Sequence, residues 1–297
     1  MVIIRADSSS TIGTGHIMRD LVLAKKFKQK VIFATRDLKG NINYKIKEAG
    51  YQIAILKDNS YEEFSKIIKK YNPKTVVIDN YEIDYEFEKR LKKEFDIILM
   101  VLDDTYKKHY CDILLNHNIY ADANRYKGLV PKHCELRCGK KYTLIRDEFI
   151  EAKKRIPNFK SSILNIFIAM GGADHSNKTI EILEVLKNFK NIKANVVITS
   201  ANKNLDKLKE YVQNKEWINL YIDTNNIASI MENSNLAIVT PSVILNEVFF
   251  MELPFIAIKT ASNQEEMVKY LKNNNYLVLE AFNKNKLYEI TKRWYEE

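Results

Sequence analysis

Short apolar runs separated by amphipathic stretches recur along nearly the whole chain. In the first half VIIRA (2–6), VIFAT (31–35), YQIAIL (51–56), TVVID (75–79), DIILMVLD (96–103) and DILLN (112–116) read as strands. Helical spacing of apolar residues fills the intervals near 15–28, 40–49, 60–71 and 83–95. Apolar runs without strict alternation belong to strands covered on both faces, and the helices between them make such strands parallel. The regularity loosens from Asn118 to Lys141, which reads as a long loop with room for one edge strand. RDEFIEAKKR then reads as a linker helix, and Pro157 with Lys160-Ser161-Ser162 marks a boundary.

Beyond it the alternation resumes with ILNIFIAM (163–170), NVVITS (195–200), INLYI (218–222), LAIVT (236–240), FIAIK (255–259) and YLVLE (276–280). A helix, KNKLYEITKRWYEE, closes the chain. The pattern predicts two doubly wound, Rossmann-like α/β domains, 1–156 and 157–297, facing a cleft. Ligands of such sheets lie at the carboxyl ends of the strands.

Composition narrows the class without deciding it. The 297 residues are 46% hydrophobic and 29% charged, as in a folded globular protein of two domains. No apolar window reaches the roughly 18 residues of a membrane span. The start runs directly into a strand-loop-helix pattern, so neither targeting segment nor membrane partner is expected. Cys111, Cys134 and Cys138 are too few for a disulfide framework and fit a reducing cytoplasm. The C-x3-C of Cys134 and Cys138 lacks a second pair at zinc-site spacing. The net charge of +9 is spread over mixed helix faces. With no zinc finger, RNP-type motif or long basic run, no nucleic-acid partner is expected.

Three βα loops carry the candidate chemistry. In IGTGHIM (12–18), Gly13 and Gly15 fit the start of a dinucleotide fingerprint, but Met18 stands where the third glycine belongs, and no Gly-Lys-Ser/Thr is present. What remains is a Ser- and Gly-rich loop feeding a helix whose first turn carries His16. A helix start favours the neutral imidazole a general base needs, although from the loop alone His16 serves equally as a cap or packing group. AMGGADHSNKT (169–179) sits at the same point of the second domain. There Gly171 and Gly172 allow close backbone approach, the N–H groups beyond them suit phosphate, and Asp174, His175 and Ser176 are ligand contacts or caps. In TPSVILNEV (240–248), Pro241 and Ser242 open a helix carrying Asn246 and Glu247. A carboxylate there either accepts ribose hydroxyls or lies on an exposed face. Asp79-Asn80-Tyr81 and Asn263 also follow strands, and Asp103, Asp104 and His109 match no familiar metal spacing.

Taken together, RADSSSTIGTGHIMRDLVLA, AMGGADHSN and TPSVILNEV, with HYCDILLNHNIYA and GLVPKHCELRCGKKYTLIRDEF, resemble the nucleotide-sugar hydrolase family of the pseudaminic acid pathway, which serves flagellin glycosylation. The resemblance spans most of the chain and weakens after Tyr276. It implies a glycosyltransferase-B-like fold related to MurG-type transferases, in which the last helix can cross back to the first domain. It also implies an enzyme that cleaves a UDP-linked 2,4-diacetamido sugar with water, without metal or cofactor, inverting the anomeric carbon; a monomer is expected, although the sequence does not fix the oligomeric state. The matching residues are His16 as the catalytic group, Gly171 and Gly172 in the glycine loop, Asn246 and Glu247 on the nucleotide helix, and Asn263 as a substrate contact. Gly15, Arg19, Tyr81, Ile227, Ser242 and Val243 join them as expected substrate-binding positions, with Ile227 near the uracil and Ser242–Val243 near the diphosphate. The alternatives are a transferase of the same architecture with a non-water acceptor, and a noncatalytic nucleotide-sugar binder.

Overall fold

The computed structural model describes residues 1–155, 163–171, 174 and 176–296. The chain forms two compact units, Met1–Leu144 and Ile145–Glu297. The boundary expected between residues 156 and 157 lies outside the described residues, as do Pro157, Gly172 and His175.

The first unit runs β1 (Val2–Ala6), α1 (Gly15–Ala24), β2 (Val31–Arg36), α2 (Asn43–Glu48), β3 (Gln52–Leu56), α3 (Tyr61–Tyr71), β4 (Thr75–Asp79), α4 (Tyr85–Glu94), β5 (Ile98–Leu102), β6 (Ile113–Asn116) and β7 (Glu135–Cys138). Its strands pair in parallel in the order β3-β2-β1-β4-β5-β6-β7, so the edge strand in the long loop is β7. Both faces are covered, which explains the unbroken apolar runs. Val2, Ile4, Ala6 and Val77 face one core, while Ile3, Val76 and Ile78 face another. Helix starts follow local chemistry: Ser60 accepts from the Glu63 N–H ahead of α3, and Asp84 from that of Phe87 ahead of α4.

The second unit runs α5 (Asp147–Lys154), β8 (Leu164–Ala169), α6 (Lys178–Leu186), β9 (Ile192–Ile198), α7 (Leu205–Val212), β10 (Ile218–Ile222), α8 (Ile227–Glu232), β11 (Leu236–Val239), α9 (Val243–Phe250), β12 (Phe255–Ile258), α10 (Glu265–Asn273), β13 (Val278–Leu279) and α11 (Lys284–Glu296). The strand order, β10-β9-β8-β11-β12-β13, repeats the plan of the first sheet, and all pairs are parallel. The segment read as a linker helix, α5, groups with this unit. The reason is ionic and local: Arg146 pairs with Glu247, Lys153 donates to the Phe250 carbonyl and Arg155 pairs with Glu232. The closing helix α11 likewise stays in the second unit instead of crossing back. Its Leu287 is fully buried in that unit's core, with Tyr288 and Trp294 packed beside it.

In each unit the strand order reverses beside the first strand, at β1/β4 and β8/β11. Doubly wound sheets bind ligands at the carboxyl ends of the strands flanking that point. The loops singled out in the sequence leave those strands.

Candidate functional site

The β1–α1 loop is closed on itself. Ser9 and Gly13 exchange backbone hydrogen bonds of 2.9 and 3.3 Å, and the Ser9 hydroxyl accepts from the Ile12 N–H at 2.9 Å. Gly13 has φ +87°, a conformation glycine adopts without strain. The loop delivers the chain into α1 with Gly15 opening the helix and His16 in its first turn. Arg19 and Asp20 follow at i+3 and i+4, so one buried helix face carries all three side chains.

Asp79, the last residue of β4, organises that face. Its Oδ1 lies 2.7 Å from His16 Nδ1 and accepts from Arg19 Nη2 at 2.5 Å, while its Oδ2 accepts from Arg19 Nε at 2.6 Å. Burial alone would raise the Asp79 pKa, but the charges of Arg19 and His16 outweigh it and hold the carboxyl well below its usual range. An ionised Asp79 can only accept, so the bond to it places a proton on His16 Nδ1, which Arg19 Nη2 also approaches at 3.1 Å, and in the neutral form of the ring Nε2 holds the lone pair. Among the described residues Nε2 has no hydrogen-bond partner. The Tyr81 ring meets the imidazole edge-on at 4.9 Å, and its hydroxyl donates to Asp104 Oδ1 at 2.7 Å. Arg19 reaches the same carboxylate at 3.5 Å. The nearest charge on the imidazole is therefore a carboxylate, which corrects the expectation that the helix start sets its electrostatics. Arg19, expected near the substrate, is committed to Asp79.

Two buried titratable groups lie under this constellation. Both oxygens of Asp20 and both ring nitrogens of His117 lack hydrogen-bond partners among the described residues. Burial, reinforced by the Asp79 charge, raises the Asp20 pKa well above its ordinary value. Burial and the Arg19 charge push His117 down to about 3. Asp7, at the end of β1, is saturated: Arg5 grips both of its oxygens at 2.8 and 2.7 Å, and Arg36 and Asn80 add further bonds. It braces the loops and has no lone pair directed to a ligand.

Asp103 and His109 form a separate buried cluster. His109 Nδ1 lies 2.7 Å from Glu88, and Nε2 lies 3.7 Å from Asp103. Asp103 accepts from the hydroxyls of Tyr126 and Thr105 at 2.9 and 2.5 Å. Among the described residues no group of three or more His, Cys, Asp or Glu is arranged to hold a metal ion.

In the second unit Gly171, two residues beyond β8, has φ +86°, and a Cβ built there would meet only the Thr240 methyl at 3.9 Å. The helix beyond it is already capped. Asp174 accepts from the Lys178 and Thr179 N–H groups at 3.0 and 2.9 Å, the capping role among the two weighed for it, so the first turn of α6 does not offer those donors to a phosphate. Helix α9 differs. Ser242 stands at its N-cap without a side-chain cap bond, leaving the positive end at Val243 uncapped by a side chain.

Glu247 is buried, which excludes an exposed helix face. Its Oε1 and Oε2 accept from Arg146 Nε and Nη2 at 2.7 and 2.8 Å. Asn246 is buried on the same helix, Ile227 opens α8 half-buried, and Asn263 is exposed. Asn263 lies in a single 3-10 turn, Ser262–Gln264, ahead of α10. The sequence reading missed Asp20, His117 and Arg146, and singled out Asp104 only beside Asp103 and His109. Helical spacing from His16 signals Asp20, but nothing local signals Arg146, whose partner is distant in sequence.

No family model matches the chain. Whole-chain comparison finds 40% identity over 277 residues with UDP-2,4-diacetamido-2,4,6-trideoxy-β-L-altropyranose hydrolase of Campylobacter jejuni, covering 93% of this chain and 98% of that one. The spore coat polysaccharide biosynthesis protein SpsG of Bacillus subtilis is 23% identical over 273 residues, 89% of this chain and 78% of its own. Among solved structures, MurG of Acinetobacter baumannii superposes with a TM-score of 0.64 at 11% identity, covering 99% of this chain and 90% of its own. Anabaena HepE, in complex with UDP and glucose, gives 0.64 at 10%, covering 100% and 90%. The fold is thus that of glycosyltransferase-B enzymes, and the chain belongs to the UDP-2,4-diacetamido-2,4,6-trideoxy-β-L-altropyranose hydrolase family.

Proposed function

We propose that the protein hydrolyses UDP-2,4-diacetamido-2,4,6-trideoxy-β-L-altropyranose to UDP and the free sugar, without a metal and with inversion at the anomeric carbon. The observation that carries the reading is the His16–Asp79 pair: Nδ1 is committed to the carboxylate at 2.7 Å and Nε2 is open. In this reading Nε2 takes a proton from the attacking water as its oxygen bonds to the anomeric carbon. The bond from that carbon to the UDP oxygen breaks, and its electron pair leaves with UDP. Asp79 stabilises the imidazolium that forms and holds the ring in one tautomer, as the buried aspartate of a catalytic triad does.

The second unit supplies the nucleotide contacts. The uncapped end of α9 at Ser242 and Val243, with the backbone beside Gly171, stabilises the departing diphosphate through oriented N–H dipoles. Glu247 accepts the ribose hydroxyls, Asn246 and Asn263 contact substrate, and Ile227 lies against the uracil. Tyr81, in edge contact with His16, lines the sugar side.

Proton NMR of the purified protein with the UDP-linked diacetamido-trideoxy-altrose, without acceptor and with EDTA, tests this reading. Release of UDP and of the inverted free sugar supports it. Persistence of substrate until an acceptor is added replaces it with a transferase, and persistence until a metal is added removes the metal-free course.

A further inference from the structure

The sequence places Cys134 and Cys138 in a C-x3-C run, but the fold gives Cys134 a different partner. Cys111 stands two residues ahead of β6, and Cys134 one residue ahead of β7. The Glu135 N–H donates to the Asp112 carbonyl at 2.8 Å, so the two cysteines enter the parallel β6–β7 ladder side by side. Their sulfurs lie 3.7 Å apart, and all three cysteines are free thiols. Cys138 pairs in register with Asn116 at the far end of β7. Four residues of extended chain put it about 13 Å from Cys134, out of reach. Neighbouring strands lie about 4.8 Å apart, within the span that a disulfide bridges. Rotation of the Cys134 side chain can bring the sulfurs to the bonded distance of about 2.0 Å.

The two thiols differ in access and in acidity. Cys111 is 1% exposed and lies in the same core as Leu114 and Tyr126, whereas Cys134 is half-buried. Hydrogen bonding from Cys111, aided by the Leu114 N–H and the charge of His109, outweighs partial burial and pulls the Cys134 thiol below its ordinary pKa. The same contact, together with burial, pushes Cys111 up, and burial carries Cys138 up to about 11. A reachable thiol that ionises therefore touches a buried one that keeps its proton. That is the division of labour between an attacking and a resolving cysteine.

We propose that Cys134 and Cys111 form a hydroperoxide-reactive dithiol site, with Cys134 attacking and Cys111 resolving. The Cys134 thiolate bonds to one peroxide oxygen, the O–O bond breaks, and the other oxygen departs with the electron pair and takes a proton. Cys134 is then a sulfenic acid. The Cys111 sulfur bonds to the Cys134 sulfur, the S–O bond breaks, and the departing hydroxide takes the Cys111 proton to leave as water. Two thiols have lost two electrons to one hydroperoxide, and a disulfide joins β6 to β7. A thiol reductant reverses the change by exchange.

The test treats the full-length protein with hydrogen peroxide, blocks the remaining thiols with N-ethylmaleimide and maps the unreduced digest by mass spectrometry. The wild type should yield a peptide pair cross-linked through Cys111 and Cys134, which dithiothreitol separates, with Cys138 alkylated. Cys134 should lose its free thiol at least about tenfold faster than Cys138, the scale set by their thiolate fractions. Cys111→Ser removes the resolving thiol, so a dimedone adduct should accumulate on Cys134. Cys111→Ala repeats that measurement with an apolar side chain if the serine variant does not fold. In Cys134→Ser, Cys111 should keep its free thiol. A cross-link to Cys138, sulfinic acid on Cys134 of the wild type in place of the cross-link, or equal rates at the three cysteines overturns the proposal. Absence of the dimedone adduct from Cys134 in the folded Cys111 variant overturns it as well.

Discussion

At the scale of single residues, Asp79 decides what His16 can do. Asn at this position keeps the shape but supplies an amide that also fits the other imidazole tautomer, and it removes the charge that stabilises imidazolium. Asp79→Asn is therefore expected to lower turnover by about 10²- to 10⁴-fold, and His16→Ala by a comparable factor, with UDP affinity nearly unchanged in both. Steady-state kinetics paired with UDP calorimetry checks this, and full turnover in either variant rejects the base assignment. His16 was legible in the sequence because a Gly-rich loop and a helix start frame it. Its partner was legible only as a strand-terminal residue pointing toward ligand. Pairing Asp79 with His16 and Arg19 requires knowing that β4 lies beside β1, and strand order is not written in either segment. The same limit hid Arg146 and His117, which acquire meaning only through neighbours brought from far along the chain.

Elements were more legible than their connections. The strands follow from continuous apolar runs, and α3 and α4 from the helical spacing of their apolar residues, to which the structure adds side-chain caps at Ser60 and Asp84. At the N-terminus of α6 the sequence left Asp174 as either a ligand contact or a cap, and with φ +35° it turns back to cap the helix itself. The ionic tie between α4 and the end of β5 gives a pH prediction at this scale. Burial alone would push His109 down, but the carboxylates of Asp103 and Glu88 outweigh it and carry the imidazole up to about 9. An unfolded histidine titrates near 6.5. The stability contributed by this charge is therefore whole below about pH 6.5 and is lost as pH rises through about 9, up to about 3 kcal/mol. Denaturant unfolding of the wild type and of His109→Gln at pH 6.5 and pH 9.5 measures it. The variant should show the smaller loss between the two pH values, and equal losses would remove His109 as the source.

At the scale of the whole molecule, two sheets of the same strand order divide the chain at Leu144/Ile145. A fragment of residues 145–297 should unfold in one cooperative transition. A fragment of 157–297 lacks α5 and leaves Glu247 as a buried charge without its arginine, an omission that costs about 3–5 kcal/mol. Urea denaturation of the two fragments checks this, and equal midpoints would show that α5 is dispensable to the unit. Two α/β units were evident from the alternation of strands and helices. Where α5 belongs was not, because RDEFIEAKKR has the same amphipathic pattern whichever core it covers. Only the pairing of Arg146, Lys153 and Arg155 with α8, α9 and the turn after α9 assigns it.

The repeated strand order has a consequence for how such a protein changes over time. In both units the working loops leave the sheet at its switch point, while the strands' hydrogen bonds run to other strands. A loop can therefore lengthen, shorten or change its side chains without disturbing a single rung of either ladder. Mutational tolerance and novelty are concentrated at the same addresses, so one scaffold can exchange its nucleophile or its sugar while each core goes on folding as before.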